Sequence, residues 1–268
     1  MKLAFTTLGC PEWDLATIAA RAVEYGYDGV DFRGYRGRIP LPELPEFTTR
    51  AAESAALLHG AGLAIPALSS SACVAGDRQA ALGEIAAYAR ICRSFGAPLL
   101  RVFAGGDFVE ADRSHAAVNA ILTLREAADI VAPYDVTIVL ETHDKWVAGA
   151  SLRPIMEAVD SPRVGVLWDV HHPYRLAGES PAATWEAIGP WVKYTHVKDS
   201  RLDPAHPDGY QLCLTGAGDL PLPEIIRVLQ AGGYDGWLTL EWEKKWHPEL
   251  EAPEVAFPGY VKYMRGLL

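Results

Sequence analysis

Cysteine and long hydrophobic runs are both scarce in this sequence, and each shortage excludes a class of protein. Four cysteines occur in 268 residues, widely spaced and without a CxxC pair: Cys10, Cys73, Cys92 and Cys213. This pattern argues against a structural zinc site or a disulfide framework and is typical of a reducing, cytoplasmic compartment. No stretch reaches the roughly 20 apolar residues of a membrane-spanning helix, and the N-terminus does not resemble a signal peptide. We therefore expect a cytoplasmic protein without a membrane partner.

Positive charge is also in short supply. The chain has 24 Lys and Arg against 34 Asp and Glu, which gives a net charge of −10, and it contains no basic run. Such a balance repels a polyanion such as DNA, so no nucleic-acid partner is expected. The first strand-to-helix turn lacks a GxGxxG sequence, which removes the main signature of a dinucleotide-binding fold.

Strand and helix patterns alternate along the whole chain. The eight predicted strands are Lys2–Thr7, Gly29–Arg33, Leu63–Leu68, Pro98–Phe103, Val136–Leu140, Val164–Trp168, Val192–Val197 and Trp237–Leu240. Amphipathic helical segments follow them, with Asp14 as the predicted N-cap of the first helix. This alternation predicts a parallel sheet with helical crossovers, and a (β/α)8 barrel usually needs about 250 residues. Because no linker interrupts the pattern, residues 1–268 are predicted to form a single α/β domain, a (β/α)8 TIM barrel.

Four of the predicted strands end in a side chain that binds metal ions. Glu141, Asp169 and Glu241 follow directly after the fifth, sixth and eighth apolar runs, and His196 lies within the seventh. The C-terminal strand ends form the active-site face of a (β/α)8 barrel, and neighbouring strands lie about 4.8 Å apart. A single acid after a strand is usually a loop residue or a helix cap. Four such groups in succession predict convergence around one ion.

Three carboxylates and one imidazole form a mostly hard, oxygen-rich ligand set. Such a set suits Mn²⁺ best, with Mg²⁺, Co²⁺ or Zn²⁺ as alternatives.

Other polar side chains share a face with these candidate ligands. Residues two apart in a strand point the same way, so His143 is predicted beside Glu141, and Lys198 beside His196. Both are interpreted as catalytic, against the alternatives of a loop histidine and a solvated lysine. His172, just after the sixth strand, either contacts substrate or begins the next loop.

Arginines supply the remaining candidates. Arg101 lies within the apolar fourth strand, where a charge needs a partner. It either pairs with a barrel carboxylate such as Glu141 or binds a substrate oxygen. Arg33, at the end of the second strand, presents the same choice. Arg201, in the polar connection after the seventh strand, completes the predicted substrate-binding set.

Together these residues resemble the sugar phosphate isomerase/epimerase superfamily, the xylose isomerase-like barrels, over essentially the whole chain. The resemblance includes the Asp-x-x-His pattern at 169–172, the His-x-x-Asp pattern at 196–199 and the Gly-Ala-Gly sequence at 216–218. It implies one divalent metal ion with four protein ligands: Glu141, Asp169, His196 and Glu241. It also implies proton abstraction next to a metal-bound carbonyl, through an enediolate. In that chemistry Glu141 and Glu241 would flank the ion on opposite sides, one as general base and the other as general acid.

The sequence after the fifth strand separates branches of this superfamily. Ketose 3-epimerases usually have Glu-Pro-Leu-Asn there, whereas this chain has Glu-Thr-His-Asp at 141–144. The Glu-Thr-His element and the His-x-Lys element at 196–198 are similar to those of 3-dehydroshikimate dehydratases, in which the matching His and Lys serve catalysis. Inosose dehydratases and lyases that cleave 3-keto-C-glycosides use related barrels.

Several functions share such a site. We expect an isomerase or epimerase of a sugar or polyol keto compound. The alternative is a dehydratase or lyase, in which His143 or Lys198 assists the loss of a β-hydroxyl. An endonuclease IV-like repair enzyme is more remote because it needs three zinc ions and a basic face, and a binding protein without catalysis is the last alternative.

The expected partner is a small polyhydroxylated carbonyl substrate. Assembly into a homo-oligomer stays open, with the Lys198–Asp219 connection as a lid or contact surface.

Overall fold

Eight parallel strands form the central sheet of the computed structural model, which describes residues 1–268. These strands are β1 (Lys2–Thr6), β2 (Gly29–Asp31), β3 (Ala67–Cys73), β4 (Leu99–Phe103), β5 (Thr137–Glu141), β6 (Val164–Asp169), β7 (Val192–Val197) and β10 (Trp237–Leu240). Their order in the sheet is β2-β1-β10-β7-β6-β5-β4-β3. Strands β8 (Asp199–Leu202) and β9 (Tyr210–Cys213) form a separate antiparallel hairpin.

The two edges of this sheet meet and close it into a barrel. Parallel bridges join Gly29 to Ala64 and Phe32 to Leu68, so the chain around β2 pairs with the segment that leads into β3. Eight parallel strands with helical crossovers and a closed edge confirm the predicted (β/α)8 TIM barrel.

Nine α-helices accompany the strands. They are α1 (Leu15–Tyr25), α2 (Ala51–Gly60), α3 (Arg78–Phe95), α4 (Arg113–Val131), α5 (Gly149–Val159), α6 (His171–Ala177), α7 (Pro181–Ile188), α8 (Leu222–Ala231) and α9 (Pro253–Arg265). Asp14 caps α1 as predicted, because its Oδ1 accepts a hydrogen bond from the Thr17 N–H at 2.8 Å. None of the helices combines the length and the apolar character that crossing a membrane requires.

The barrel interior has an apolar layer below a polar one. A core cluster of 69 buried residues includes most of the packing between strands and helices. A separate interior cluster is formed by Ala67, Val139, Leu167 and Tyr194. Glu141, Asp169 and His196 each lie two residues further along the same strands, so they share the interior face of that cluster. The strand period therefore directs these three polar side chains to the C-terminal mouth.

Three features of the fold differ from the sequence predictions. The third strand begins at Ala67 rather than near Leu63, because Pro66 lacks the N–H group that a sheet ladder needs. Helix α6 and the hairpin β8–β9 lie in segments predicted as loops. One is short and the other largely polar, so neither shows the apolar period that identifies longer elements.

Candidate metal centre

Four side chains converge at the C-terminal mouth of the barrel. Glu141 and Asp169 are the last residues of β5 and β6, His196 is the penultimate residue of β7, and Glu241 directly follows β10. One ligand atom from each lies within 4.8 Å of the others, and all four side chains are buried. The register of the sheet brings two of these side chains together, since Asp169 and His196 are partners in the β6–β7 ladder.

Several atoms that face one another in this group make no hydrogen bond. His196 Nδ1 lies 3.3 Å from Glu141 Oε1 and 3.2 Å from Glu241 Oε1, yet it forms no hydrogen bond, and neither does either carboxylate oxygen of Glu141. Buried polar atoms left in this way cost roughly 1–3 kcal/mol each. A cation among these oxygens and Nδ1 would satisfy them together, so the residues present fit a divalent metal ion that prefers oxygen ligands.

Lys198 neutralises part of the negative charge of the carboxylates at this site. Its Nζ lies 2.8 Å from Asp169 Oδ2, 2.5 Å from Glu241 Oε2 and 2.7 Å from Glu243 Oε1. Burial alone would lower the pKa of Lys198, but these carboxylates outweigh it and raise that pKa well above its usual value. Burial likewise opposes ionisation of Glu241, yet Lys198 and His196 hold its pKa well below the usual range. The predicted proximity of Lys198 to the candidate ligands is observed.

Arg101 and Arg33 bring two buried guanidinium groups to the same site. Arg101 Nε lies 3.4 Å from Glu141 Oε2, which is one of the two roles considered for it from the sequence, and its guanidinium lies 3.9 Å from the ring centroid of Phe103. Burial opposes ionisation of Glu141, but Arg101 outweighs it, and the pKa of Glu141 falls to about 2. Burial and repulsion by Arg101 lower the pKa of Arg33 to about 10. Nη1 of each arginine lacks a hydrogen-bond partner.

A cavity of about 240 Å³ opens onto this group. Its lining includes Arg33, Arg101, Glu141, His143 and Glu241. His143 therefore lies in the same pocket as Glu141, as the strand period predicts. The exposed side chain of Trp246 also lines the cavity, so an aromatic ring stands at its rim.

The other two predicted substrate-binding residues occupy different positions. His172 is buried, its ring centroid lies 4.9 Å from that of His143, and its Nδ1 lies 2.8 Å from the Thr142 carbonyl oxygen. Burial and repulsion by Lys198 lower the pKa of His172 to about 3. Arg201 is exposed on β8. The structure does not bring Arg201 to the cavity, because its strand belongs to the hairpin outside the barrel and its Nε donates to a loop carbonyl.

A second set of ligand atoms shares Asp169 with the first. Asp169, His171 and His172 also offer atoms within 4.8 Å of one another. However, His171 Nε2 lies 3.0 Å from Ser200 Oγ, and the set contains a single carboxylate. The four-residue group, with three carboxylates and more unpartnered atoms, is the better candidate for a divalent ion.

Asp31 is a buried polar residue of this site that the sequence argument missed. It is the last residue of β2, and its Oδ2 lies 3.3 Å from His196 Nε2. Ser69 Oγ donates toward both of its oxygens, at 3.0 and 3.1 Å. The available signal was a carboxylate inside the short apolar run Gly29–Phe32, the same kind of signal that singled out Arg101.

Asp199 organises the segment that follows the hairpin. Its carboxylate accepts hydrogen bonds from the backbone N–H groups of Ser200, Gly216, Gly218 and Leu220, at 2.8 to 3.4 Å. A Cβ atom at Gly218 would lie 2.0 Å from Asp199 Oδ1. The Gly-Ala-Gly sequence thus lets the backbone wrap closely around this carboxylate.

Comparisons with known proteins agree with this architecture. A family model described as xylose isomerase-like TIM barrel matches residues 19–257. Inosose dehydratase of Lacticaseibacillus casei is 28% identical over 107 residues, 35% of this chain and 36% of that protein. Fructoselysine 3-epimerase of Escherichia coli O157:H7 is 28% identical over 111 residues, 41% of this chain and 36% of that protein. The chain thus spans little more than a third of the length of the curated relatives it matches.

Solved structures share the fold over nearly the whole chain. The probable 3-DHS dehydratase AsbF of Bacillus anthracis has a TM-score of 0.79 at 19% identity and covers 99% of both chains. The IOLI protein with a binding zinc atom has a TM-score of 0.81 at 17% identity, over 100% of this chain and 98% of that one. The 3-keto-D-glucoside 4-epimerase YcjR of E. coli has a TM-score of 0.76 at 16% identity, with the same coverage. At such identities the likeness shows the fold alone.

Proposed function

Because this chain belongs to the xylose isomerase-like TIM barrel family, we propose that it is a metal-dependent isomerase or epimerase of a polyhydroxylated keto compound of the sugar or polyol type. The pair of Glu141 and Glu241 carries this proposal. Their Oε1 atoms lie 3.3 and 3.2 Å from His196 Nδ1, and both residues line one cavity. Two carboxylates that share one space are the groups needed to remove a proton from carbon and to return it.

We assign the metal ion to four ligands: Glu141, Asp169, His196 and Glu241. Three oxygen donors and one nitrogen favour Mn²⁺, with Mg²⁺, Co²⁺ or Zn²⁺ as alternatives. The zinc atom of the structurally similar IOLI protein supports a divalent ion in a barrel of this type. When bound, such an ion supplies Lewis acidity that polarises a carbonyl and acidifies the neighbouring C–H bond.

The two glutamates handle the proton. Each has one oxygen next to a protein cation: Oε2 of Glu141 faces Arg101 at 3.4 Å, and Oε2 of Glu241 faces Lys198 at 2.5 Å. The other oxygen of each faces the shared space around His196. One glutamate takes the proton from the carbon next to the carbonyl. Return of a proton to the opposite face of that carbon gives an epimer. Return to the former carbonyl carbon, with transfer of the neighbouring hydroxyl proton to the former carbonyl oxygen, gives an isomer.

Substrate oxygens would be bound by Arg33 and Arg101, which line the cavity, while His172 packs against the His143 ring beside it. The partnerless Nη1 groups of the two arginines are donors that suit hydroxyl or carboxylate oxygens. His172 stays neutral because burial lowers its pKa to about 3, so it adds no third positive charge. Trp246 at the rim offers an aromatic face to the apolar side of a sugar ring.

A dehydratase acting on a similar keto compound is the second candidate, and His143 favours it. Burial lowers the pKa of His143, but the Asp144 carboxylate, 2.9 Å from its Nδ1, outweighs this effect and raises the pKa. A protonated imidazole in the cavity is a suitable acid for a leaving hydroxyl. In this reaction a glutamate takes the proton from carbon, the C–O bond of the β-hydroxyl breaks, and His143 supplies the proton with which it leaves as water.

Deuterium exchange in D2O tests the proposal. A panel of keto-sugars, keto-inositols and 3-dehydroshikimate is incubated with the enzyme and Mn²⁺, and NMR spectra are recorded after the metal has been removed. We expect one compound to gain deuterium next to its carbonyl. Glu241→Gln should lose at least about 100-fold of the exchange rate, since general acid–base catalysis contributes roughly 10²–10⁴-fold. Glu249→Gln, at an exposed glutamate of the nearby loop, is the control and should exchange normally.

The same samples separate the two candidates. A product that keeps every hydroxyl group indicates an isomerase or epimerase, whereas a conjugated enone that absorbs in the ultraviolet indicates a dehydratase. Elemental analysis of protein purified without chelator should give close to one divalent ion per chain. A metal-free protein that causes no exchange in any panel compound would contradict the proposal.

A further inference from the structure

His196 lies between the candidate ligands and the buried carboxylate of Asp31. Its Nδ1 faces Glu141 and Glu241, and its Nε2 lies 3.3 Å from Asp31 Oδ2. Strands β2 and β7 are not neighbours, because β1 and β10 separate them in the sheet. The contact between Asp31 and His196 therefore spans the barrel interior, and both side chains are fully buried.

Asp31 has no lysine or arginine within ion-pair distance. Ser69 Oγ donates toward its two oxygens, and His196 Nε2 lies 3.3 Å from its Oδ2. A buried carboxylate is costly without a partner, and buried ionic groups are weak evidence for stability in themselves. The position of Asp31 is therefore better explained by what it does to His196.

A hydrogen-bond acceptor beside one ring nitrogen of a histidine holds the proton on that nitrogen. The other nitrogen then has the free lone pair that can bind a metal ion. An imidazole that binds a metal ion is neutral and carries a single proton, and a carboxylate beside its other ring nitrogen keeps the proton there. Asp31 accepts only, so the proton belongs on Nε2. The lone pair then lies on Nδ1, the atom that faces the two glutamates without a hydrogen bond.

We infer that Asp31 is a positioning residue for His196, which it holds in the Nε2–H tautomer and in the ring orientation that presents Nδ1 to a metal ion. Ser69 in turn holds Asp31 in place. The inference rests on the proposed metal centre, and it adds a residue from the first half of the chain to a site whose ligands all come from the second half.

Metal affinity gives the first test, with Zn²⁺ as the probe. We expect Asp31→Ala to weaken Zn²⁺ binding by about 10- to 100-fold, the usual effect of removing such a partner. Asp31→Asn keeps the shape of the side chain and one acceptor oxygen, so we expect it to weaken Zn²⁺ binding less than Asp31→Ala does. Asp135→Ala, at an exposed aspartate paired with Arg163, is the control and should bind as the wild type does. Circular dichroism of each metal-free variant shows whether the fold is intact.

The second test needs no variant. Long-range ¹H–¹⁵N NMR spectra of the zinc-loaded wild type should show a proton on His196 Nε2 and a coordinated Nδ1. Coordination through Nε2, or wild-type affinity in folded Asp31→Ala, would overturn the inference while leaving the metal centre intact. A wild-type protein that binds no Zn²⁺ would instead overturn the metal proposal, and the role of Asp31 with it.

Discussion

At the scale of single residues, Lys198 is the buried cation on which the site depends when no metal is bound. Its ammonium group lies within 2.8 Å of oxygens from Asp169, Glu241 and Glu243. Removal of one member of a buried ion pair usually costs about 3–5 kcal/mol, because the partner charge is left uncompensated. A divalent ion beside Asp169 and Glu241 would supply positive charge to the same oxygens.

Lys198→Met should therefore destabilise the metal-free protein more than the metal-loaded one. The substitution keeps the apolar stem and removes the charge, so we expect the free energy of unfolding to fall by about 3–5 kcal/mol without metal. The loss should be smaller in saturating Mn²⁺. Urea denaturation in both conditions measures the difference, with exposed Lys193→Met on the same strand as the control. An equal loss in the two conditions would contradict the argument.

The candidate ligands were predictable as single residues because each one interrupts or ends an apolar strand. Their convergence followed from the barrel, whose strand ends meet at one face. The contact between Asp31 and His196 was not predictable in the same way, since 165 positions separate the two residues and barrel closure decides which interior side chains meet. Arg201 illustrates the opposite case, because a hairpin that the sequence did not reveal takes it away from the cavity.

At the scale of elements, one buried carboxylate holds the backbone of the segment after β9 in place. Asp199 accepts hydrogen bonds from the N–H groups of Gly216, Gly218 and Leu220. Arg175 adds a second link, since it donates to the Ser200 carbonyl and pairs with Asp219. The connection predicted as a loop is therefore anchored at both of its ends, next to Lys198.

Asp199→Asn should loosen this segment while the barrel stays folded. The amide group of asparagine presents hydrogen atoms to backbone donors, so part of the hydrogen-bond set is lost. We expect faster hydrogen–deuterium exchange at residues 214–220 and unchanged exchange in β1 and β10. Asp203→Asn, in the hairpin turn, makes the same change of side chain at a residue that accepts a hydrogen bond from the N–H of Ala205, and it serves as the control. Unchanged exchange at Gly216 and Gly218 would show that Asp199 does not hold the segment.

At the scale of the whole molecule, negative charge decides which substrates can approach. The chain carries a net charge of −10, and the cavity lining includes Glu141, Glu241 and Glu243. The two arginines, together with an ion if one is bound, would offset this locally for a small molecule, but a duplex extends well beyond the cavity and would be repelled by the net negative charge of the protein. These charges weigh against an endonuclease function, which the shared barrel alone leaves open.

We predict that the protein does not cleave DNA at abasic sites. Lower salt screens charges less and so strengthens the repulsion between DNA and an acidic protein. Lowering the salt should therefore not rescue activity. A nicking assay on abasic duplex with added Zn²⁺, at low and moderate salt, measures this, with an abasic endonuclease as the positive control. Metal-dependent nicking that disappears in Glu241→Gln would reverse the conclusion.

Some residues of the site lie at strand ends and others lie in loops, and this difference decides which of them can be substituted without disturbing the barrel. Glu141 and Asp169 end strands, whereas His143 and Trp246 lie in the loops beyond them. Residues in the loops can be exchanged without disturbing the sheet that holds the candidate ligands. Laboratory evolution of these loops should therefore change which molecules fit the cavity while Glu141 and Asp169 keep their positions, so that one barrel can serve as a frame for many different loops.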